Sequence, residues 1–244
     1  MKANLSFFLF LCFAGAALAN EAAPPAAEEK EFHDPFAAED AAAHPKVSDP
    51  LERMNRAFFR FNDTLYCWVL RPVSKGYRTV APKPVRESLE RLFDNVKFPV
   101  RLVNNVLEGR LKGAGIETTR FVVNTTVGVG GLFDPATRWS LKAQPADFDQ
   151  TLASYRIPSG IYLHWPFLGP SSLRGTVGSV GDIALNPSWY FTIPPAVTWG
   201  AAGLDKVNTT SLHSEEYDAL KEATLDPYVA LRSAYFERRA DAAK

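Results

Sequence analysis

Residues 157–204 carry two formal charges, Arg174 and Asp182, in 48 positions, far below the 22% of the whole chain. Within that stretch residues 183–204 run for 22 positions without any charge. By count alone such a run spans a bilayer, which takes about 20 apolar residues as a helix. Pro187, Pro194 and Pro195 interrupt it, however, and Asn186, Gly200 and Gly203 weaken it further. An unpaired backbone cannot face hydrocarbon, so one continuous membrane helix is excluded. Two readings stand. The stretch forms short broken helices at a membrane interface, with Trp165, Trp189, Tyr190 and Trp199 as the interfacial aromatics, or it fills a plain hydrophobic core.

A second unusual segment lies at 118–135. Between Arg120 and Asp134 no residue is charged, and Gly128, Gly130 and Gly131 follow a β-branched apolar run. Interior glycines cost a helix roughly 0.5–1 kcal/mol each relative to alanine, so they have a purpose: close backbone packing or a flexible joint. The order of glycines is not a dinucleotide fingerprint, because Phe133 stands at the last glycine position, and no Gly-Lys-Ser/Thr makes it a phosphate loop.

The chain opens with Lys2, an apolar run through Phe13, and Ala17-Leu18-Ala19. This reads as a secretory signal over 1–19 and an exported protein. A lipidated cysteine needs a small residue before it, and Leu11 precedes Cys12, so the reading is cleavage at Ala19 without a lipid anchor. Cys67 is then the one remaining cysteine, which excludes an internal disulfide. Residues 20–47 hold seven acids against Lys30 and Lys46, and 13 of their 28 positions are Ala or Pro. That composition reads as a disordered acidic leader. The remaining domain, 48–244, has 24 basic and 20 acidic residues, a net charge of +4 that suits anionic lipid headgroups.

Helical periodicity dominates that domain. Ser48 or Asp49 is read as the cap of a first helix with Leu51, Met54, Phe58, Phe61 and Leu65 on one face, Asn55 and Asn62 on another, and Arg71-Pro72 as its end. Further helices start at Pro82 and Pro84, run from Phe98 to Gly109, and continue from Arg110 into the glycine segment. Asp134-Pro135 and Pro145-Ala146-Asp147 open short ones, and 214–222 and 226–239 close the chain. No strand ladder or internal repeat is evident. The fold class is all-α.

Sites for chemistry are sparse. No nucleophile elbow is present, and the four histidines have no metal-ligand spacing, so neither a metal nor a cofactor is expected. Asp147, Asp149 and Asp182 could serve a hydrolytic site with His164, although capping or solvated acids are the commoner use. Basic patches interleaved with aromatics, as nucleic acid requires, are missing.

Several stretches together resemble the MlaA (VacJ) family of Gram-negative outer-membrane proteins. They are the run from Asp49 to Arg56 with Phe61-Asn62, Thr119-Arg120-Phe121 through Asn124, and Gly128 to Asp134. Phe148 with Thr151-Leu152, Pro166-Phe167 with Gly169, Leu173-Arg174, and Asp226-Pro227-Tyr228 followed by Arg232 and Ala234-Tyr235-Phe236 complete the set. The resemblance implies a single ring-like domain of helices in the inner leaflet of the outer membrane, around a central amphipathic channel. It implies retrograde phospholipid transport that maintains lipid asymmetry, without covalent chemistry. Trimeric porins and a soluble periplasmic lipid carrier are the implied partners. On that reading Asn62, Arg120, Asn124 and Arg174 are candidates for the polar lining of the lipid path, and Gly128, Gly130 and Gly131 form a flexible joint beside it. The rivals are a porin-associated adaptor that carries no lipid and a periplasmic lipid hydrolase.

Overall fold

The computed structural model describes residues 49–186 and 194–242. The signal and leader, Trp189 and Tyr190 lie outside the described residues. Ten helices are described: α1 (Glu52–Leu65), α2 (Arg71–Val80), α3 (Lys83–Val96), α4 (Phe98–Leu107), α5 (Leu111–Thr126), α6 (Pro135–Arg138), α7 (Phe148–Ser154), α8 (Leu173–Leu185), α9 (Pro195–Ala223) and α10 (Pro227–Ala242). Between α7 and α8 lies a two-stranded antiparallel hairpin, β1 (Tyr162–Trp165) with β2 (Gly169–Ser172), in the register Tyr162 opposite Ser172 and Trp165 opposite Gly169. Among the described residues every other element is helical, and the fold is all-α.

The hairpin corrects the expectation of no strands, and α1 explains how so small a sheet persists. An isolated hairpin is marginal in water. Here Asn55 accepts from the His164 backbone N–H at 2.9 Å and donates to the Tyr162 carbonyl at 3.1 Å. Asn62 repeats the pattern seven residues on, donating to the Trp165 carbonyl and accepting from Phe167 N–H, each at 2.8 Å. Two side-chain amides thus clip the hairpin to α1 as a neighbouring strand would.

Three further boundaries differ from the sequence reading. Asp49 does not cap α1 through its side chain, and Ser48 lies outside the described residues. The N-cap residue is Leu51, and the Asp49 carboxylate instead takes bonds from Tyr228 Oη, Arg232 and Asn55. Arg71-Pro72 does not end the first helix. A π-helical turn over Tyr66–Leu70 absorbs the missing proline N–H, and Pro72 sits in the first turn of α2. The segment 214–222 is the end of the 29-residue α9, not a separate helix. The proline breaks hold: Asn186, before Pro187, is already extended, and Pro195 opens α9.

Capping follows the sequence elsewhere. Asp134 accepts from Thr137 N and Asp147 from Gln150 N, while Gly109 leaves α4 at φ +74°. Packing runs in pairs: α4 on α5, α7 on α8, and α9 on α2 and α3. Beneath the hairpin an aromatic cluster of Tyr162, Tyr228 and Tyr235 joins β1 to α10, with Phe59 of α1 against it.

Candidate functional site

The interior is polar and the exterior is apolar. Among the described residues eight hydrophobic side chains are buried, four of them alanines, against fifteen polar or charged ones. Meanwhile Trp68, Val80, Leu111, Phe167, Leu168 and Trp199 stand 66–82% exposed. Scattered exposed apolar residues are ordinary, but a buried set with a polar majority is not. No helix among the described residues is long and apolar enough to cross a membrane.

Helix α5 shows how the sequence builds this. Its buried face is Gly113, Glu117, Arg120 and Asn124, spaced by four, three and four, while Leu111 and Val122 point outward. Glu117 is fully buried and accepts from Arg101 Nε and from the Gln144 N–H, each at 2.6 Å. Arg120 donates to the Leu141 carbonyl, to Thr137 at 3.1 Å and to Asp134 at 3.1 Å. Asn124 donates to Asp134 at 3.0 Å and accepts from Ala136 N at 3.1 Å. Burial alone would lift the Asp134 carboxyl, but the Thr137 and Asn124 hydrogen bonds and the Arg120 charge hold it at about 2. Buried charges persist only when paired in this way.

Between α3 and α5 this network opens into a recess of about 200 Å³, with Glu90, Asp94 and Asn95 on one wall and Arg120, Phe121 and Asn124 on the other. Two of the four residues read as a polar lining, Arg120 and Asn124, therefore meet at one hollow. Asn62 and Arg174 lie elsewhere. Asn62 clips the hairpin, and Arg174 ties α8 to α7 through Asp149 at 2.6 Å and to the Ile157 carbonyl at 2.7 Å.

The glycine turn beyond α5 borders the same recess through Asn95. The Asn95 amide donates to Thr125 Oγ1 at 3.0 Å and to the Gly130 carbonyl at 3.3 Å. A β-carbon at Gly131, where φ is +98°, would stand 2.6 Å from Asn95 Cβ, and one at Gly128 would strike the Asn124 and Phe133 carbonyl oxygens. Close approach accounts for these two glycines, whereas Gly130 faces open space. Of the interfacial aromatics, Trp199 is 67% exposed, while Trp165 is half-buried and donates to Thr176 at 2.9 Å.

The candidate hydrolytic set does not assemble around His164. Its ring nitrogens meet Tyr162 Oη and Asn62 Nδ2, each at 3.1 Å, and burial pushes its pKa down to about 4. Asp147 and Asp149 pair with Arg239, and Asp182 accepts from Phe148 N and Asn104. Among the described residues no three His, Cys, Asp or Glu side chains group as metal ligands.

Sequence reading passed over Arg101 and Glu117 and took Asp134 only as the opening of a short helix. For Glu117 the signal was its spacing from Arg120 and Asn124, which puts all three on one helix face.

Comparison with known proteins bears directly on this inverted interior. The family profile described as MlaA lipoprotein matches residues 47–242. The chain belongs to the MlaA lipoprotein family. A MlaA relative from Shigella flexneri, named as an intermembrane phospholipid transport system lipoprotein, is 36% identical over 78% of this chain and 76% of its own length. The Escherichia coli K12 protein of the same name is 34% identical over the same shares. A solved MlaA-like structure, described as the structural basis for maintenance of bacterial outer membrane lipid asymmetry, superposes with a TM-score of 0.71 at 32% identity. It covers 81% of this chain and all of the solved one.

Proposed function

We propose that this protein transports phospholipids at the outer membrane, removing those misplaced in the outer leaflet and passing them inward to a soluble periplasmic carrier. The observation that carries the reading is the inverted distribution of polarity: charged and amide side chains inside, tryptophan, valine and leucine outside. An exterior of that kind is stable against lipid, where apolar side chains lose nothing by exposure. The helices then form a ring in the inner leaflet, entered from the outer leaflet and lined by polar groups. Arg120 and Asn124 border the lipid path, while Asn62 and Arg174 hold its wall in shape. The turn at 127–133 is the joint beside that path, able to bend at Gly130 and pinned by Gly128 and Gly131. Trimeric porins are the proposed neighbours in the membrane. The exposed apolar surface supplies membrane residence without requiring a lipid on Cys12, which lies outside the matched residues. No covalent step is involved.

Deleting the gene and measuring phospholipid in the outer leaflet tests this. Accumulation that the wild-type gene reverses, together with phospholipid co-purifying with the protein, is the expected result. Unchanged asymmetry overturns transport, and a protein that partners porins but carries no lipid is an adaptor.

A further inference from the structure

The recess between α3 and α5 has a charge pattern that transport does not by itself require. Its volume, about 200 Å³, lies below the roughly 300–1,000 Å³ of sites that enclose a whole drug-sized molecule. It is large enough for a headgroup and too small to enclose the acyl chains as well. Six ionisable groups line it, three of each sign: Arg91, Arg101 and Arg120 against Glu90, Asp94 and Asp134. The fully buried Glu117 stands behind Arg101 and Arg120, at 2.6 Å and 3.9 Å. Arg101 is further paired with Asp94 at 3.0 Å and Arg120 with Asp134 at 3.1 Å.

A seat for a simple anion would hold surplus positive charge. This one holds none, so an added monoanion meets three lining carboxylates, and in a partly dry hollow that repulsion exceeds its value in bulk water. A ligand with both signs meets no such penalty. Donors and acceptors for it remain at the mouth. The bonds to Glu117 and Asp94 use Nε and Nη1 of Arg101 and leave Nη2. Asp94 commits Oδ1 to Arg101 and leaves Oδ2; Glu90 commits Oε1 to His213 and leaves Oε2. Both carboxylates are accessible, their side chains 56% and 39% exposed. Phe121, stacked on Phe98 at 4.2 Å, supplies an apolar wall beside them.

We propose that this recess seats the headgroup of a zwitterionic phospholipid, its phosphodiester against Arg91 and Arg101 and its ammonium against Glu90 and Asp94. The assignment rests on the transport reading and adds a selectivity to it. Full-length protein incubated with vesicles of equimolar phosphatidylethanolamine and phosphatidylglycerol, then re-isolated, is expected to retain the zwitterion in about tenfold excess, the ratio that one unfavourable charge contact supplies. Arg101 braces the buried Glu117, so its substitution risks the fold; Glu90→Gln with Asp94→Asn is the variant of choice. It should bring the ratio to unity or favour the anionic lipid. Glycerophosphoethanolamine should displace bound lipid, and inorganic phosphate at the same concentration should not. Equal retention by the wild type, an unchanged ratio in the variant, or displacement by phosphate alone overturns the seat. Retention of lipid without preference sinks only the seat, whereas no retention of phospholipid at all sinks transport with it.

Discussion

Helix α9 has two halves with opposite surroundings. Residues 195–204 carry no charge, and Val197, Trp199 and Leu204 lie exposed. From Asp205, which pairs with Lys97 at 3.6 Å, the same helix packs on α2 and α3 and buries Asn208 and Ser211 completely. Helical geometry is common to both halves, so the difference lies in what surrounds them. The packed half buries polar groups and satisfies each. Asn208 donates to the Arg86 carbonyl at 2.9 Å and accepts from Tyr77 Oη at 3.1 Å, while Ser211 receives Arg86 at 3.0 Å. The free half presents indole and valine outward, an arrangement that water penalises and hydrocarbon does not. The packed half thus draws its stability from satisfied polar groups, and the free half contributes none of them.

The largest effect that could break this division is at Arg120. Arg120→Ala leaves Asp134 without a guanidinium and Glu117 with Arg101 alone, and should cost about 3–5 kcal/mol, the usual penalty for breaking a buried ion pair. Denaturant unfolding in detergent measures it, and a loss below about 1 kcal/mol would mean that the interior network is ornamental. The glycine turn offers the same inside-against-outside contrast over two adjacent residues. Both Gly130 and Gly131 have positive φ, so alanine at either costs about 1–2 kcal/mol. Gly131→Ala additionally drives into Asn95 and should cost about 1–3 kcal/mol more through overpacking. Equal melting shifts for the two variants would remove the close-packing account of Gly131.

Within α9 itself, Asn208→Ala should lower stability by about 1–3 kcal/mol by stranding its buried partners. Trp199→Ser should leave stability within about 0.5 kcal/mol and weaken binding to vesicles by about tenfold. Vesicle flotation separates the two, and if Trp199→Ser binds vesicles normally the free half does not meet lipid. A last test concerns pH. Burial raises the Asp182 carboxyl to about 6, above an unfolded value of about 3.9. The folded state thus holds this proton more tightly than the unfolded state does. The resulting stability is complete below the unfolded value and is lost as pH rises through about 6. Asp182→Asn keeps an acceptor for Phe148 N and Asn104, so its unfolding midpoint should be flatter than that of the wild type between pH 4 and 6. Parallel profiles would place Asp182 in contact with solvent.

Much of this was legible along the chain. The helix starts at Pro135 and Pro227, the Asp134 and Asp147 caps, the Gly109 exit and the proline breaks around residue 187 are local events. A side chain meets its own backbone within four residues, so the sequence carries them directly. The pairing of Arg120 with Asn124 at one hollow was also readable, since helical spacing puts both on one face. The hairpin was not. Its strands hold four residues each, and their partners are Asn55 and Asn62, more than a hundred positions away.

The sequence by itself determined an all-α chain, a charge-poor stretch at 157–204 interrupted by prolines, and Arg120 and Asn124 on one face of α5, because periodicity and capping are short-range. Only the tertiary structure decided which way each face turns. A helix with one polar and one apolar side can bury either, and its amphipathicity is the same in both cases. Packing against neighbours that supply Asp134, Arg101 and Gln144 makes the polar face of α5 the inner one. Once those long-range partners close around Glu117 and Arg120, the apolar faces are left outside, and on the proposed function lipid is the solvent that accepts them.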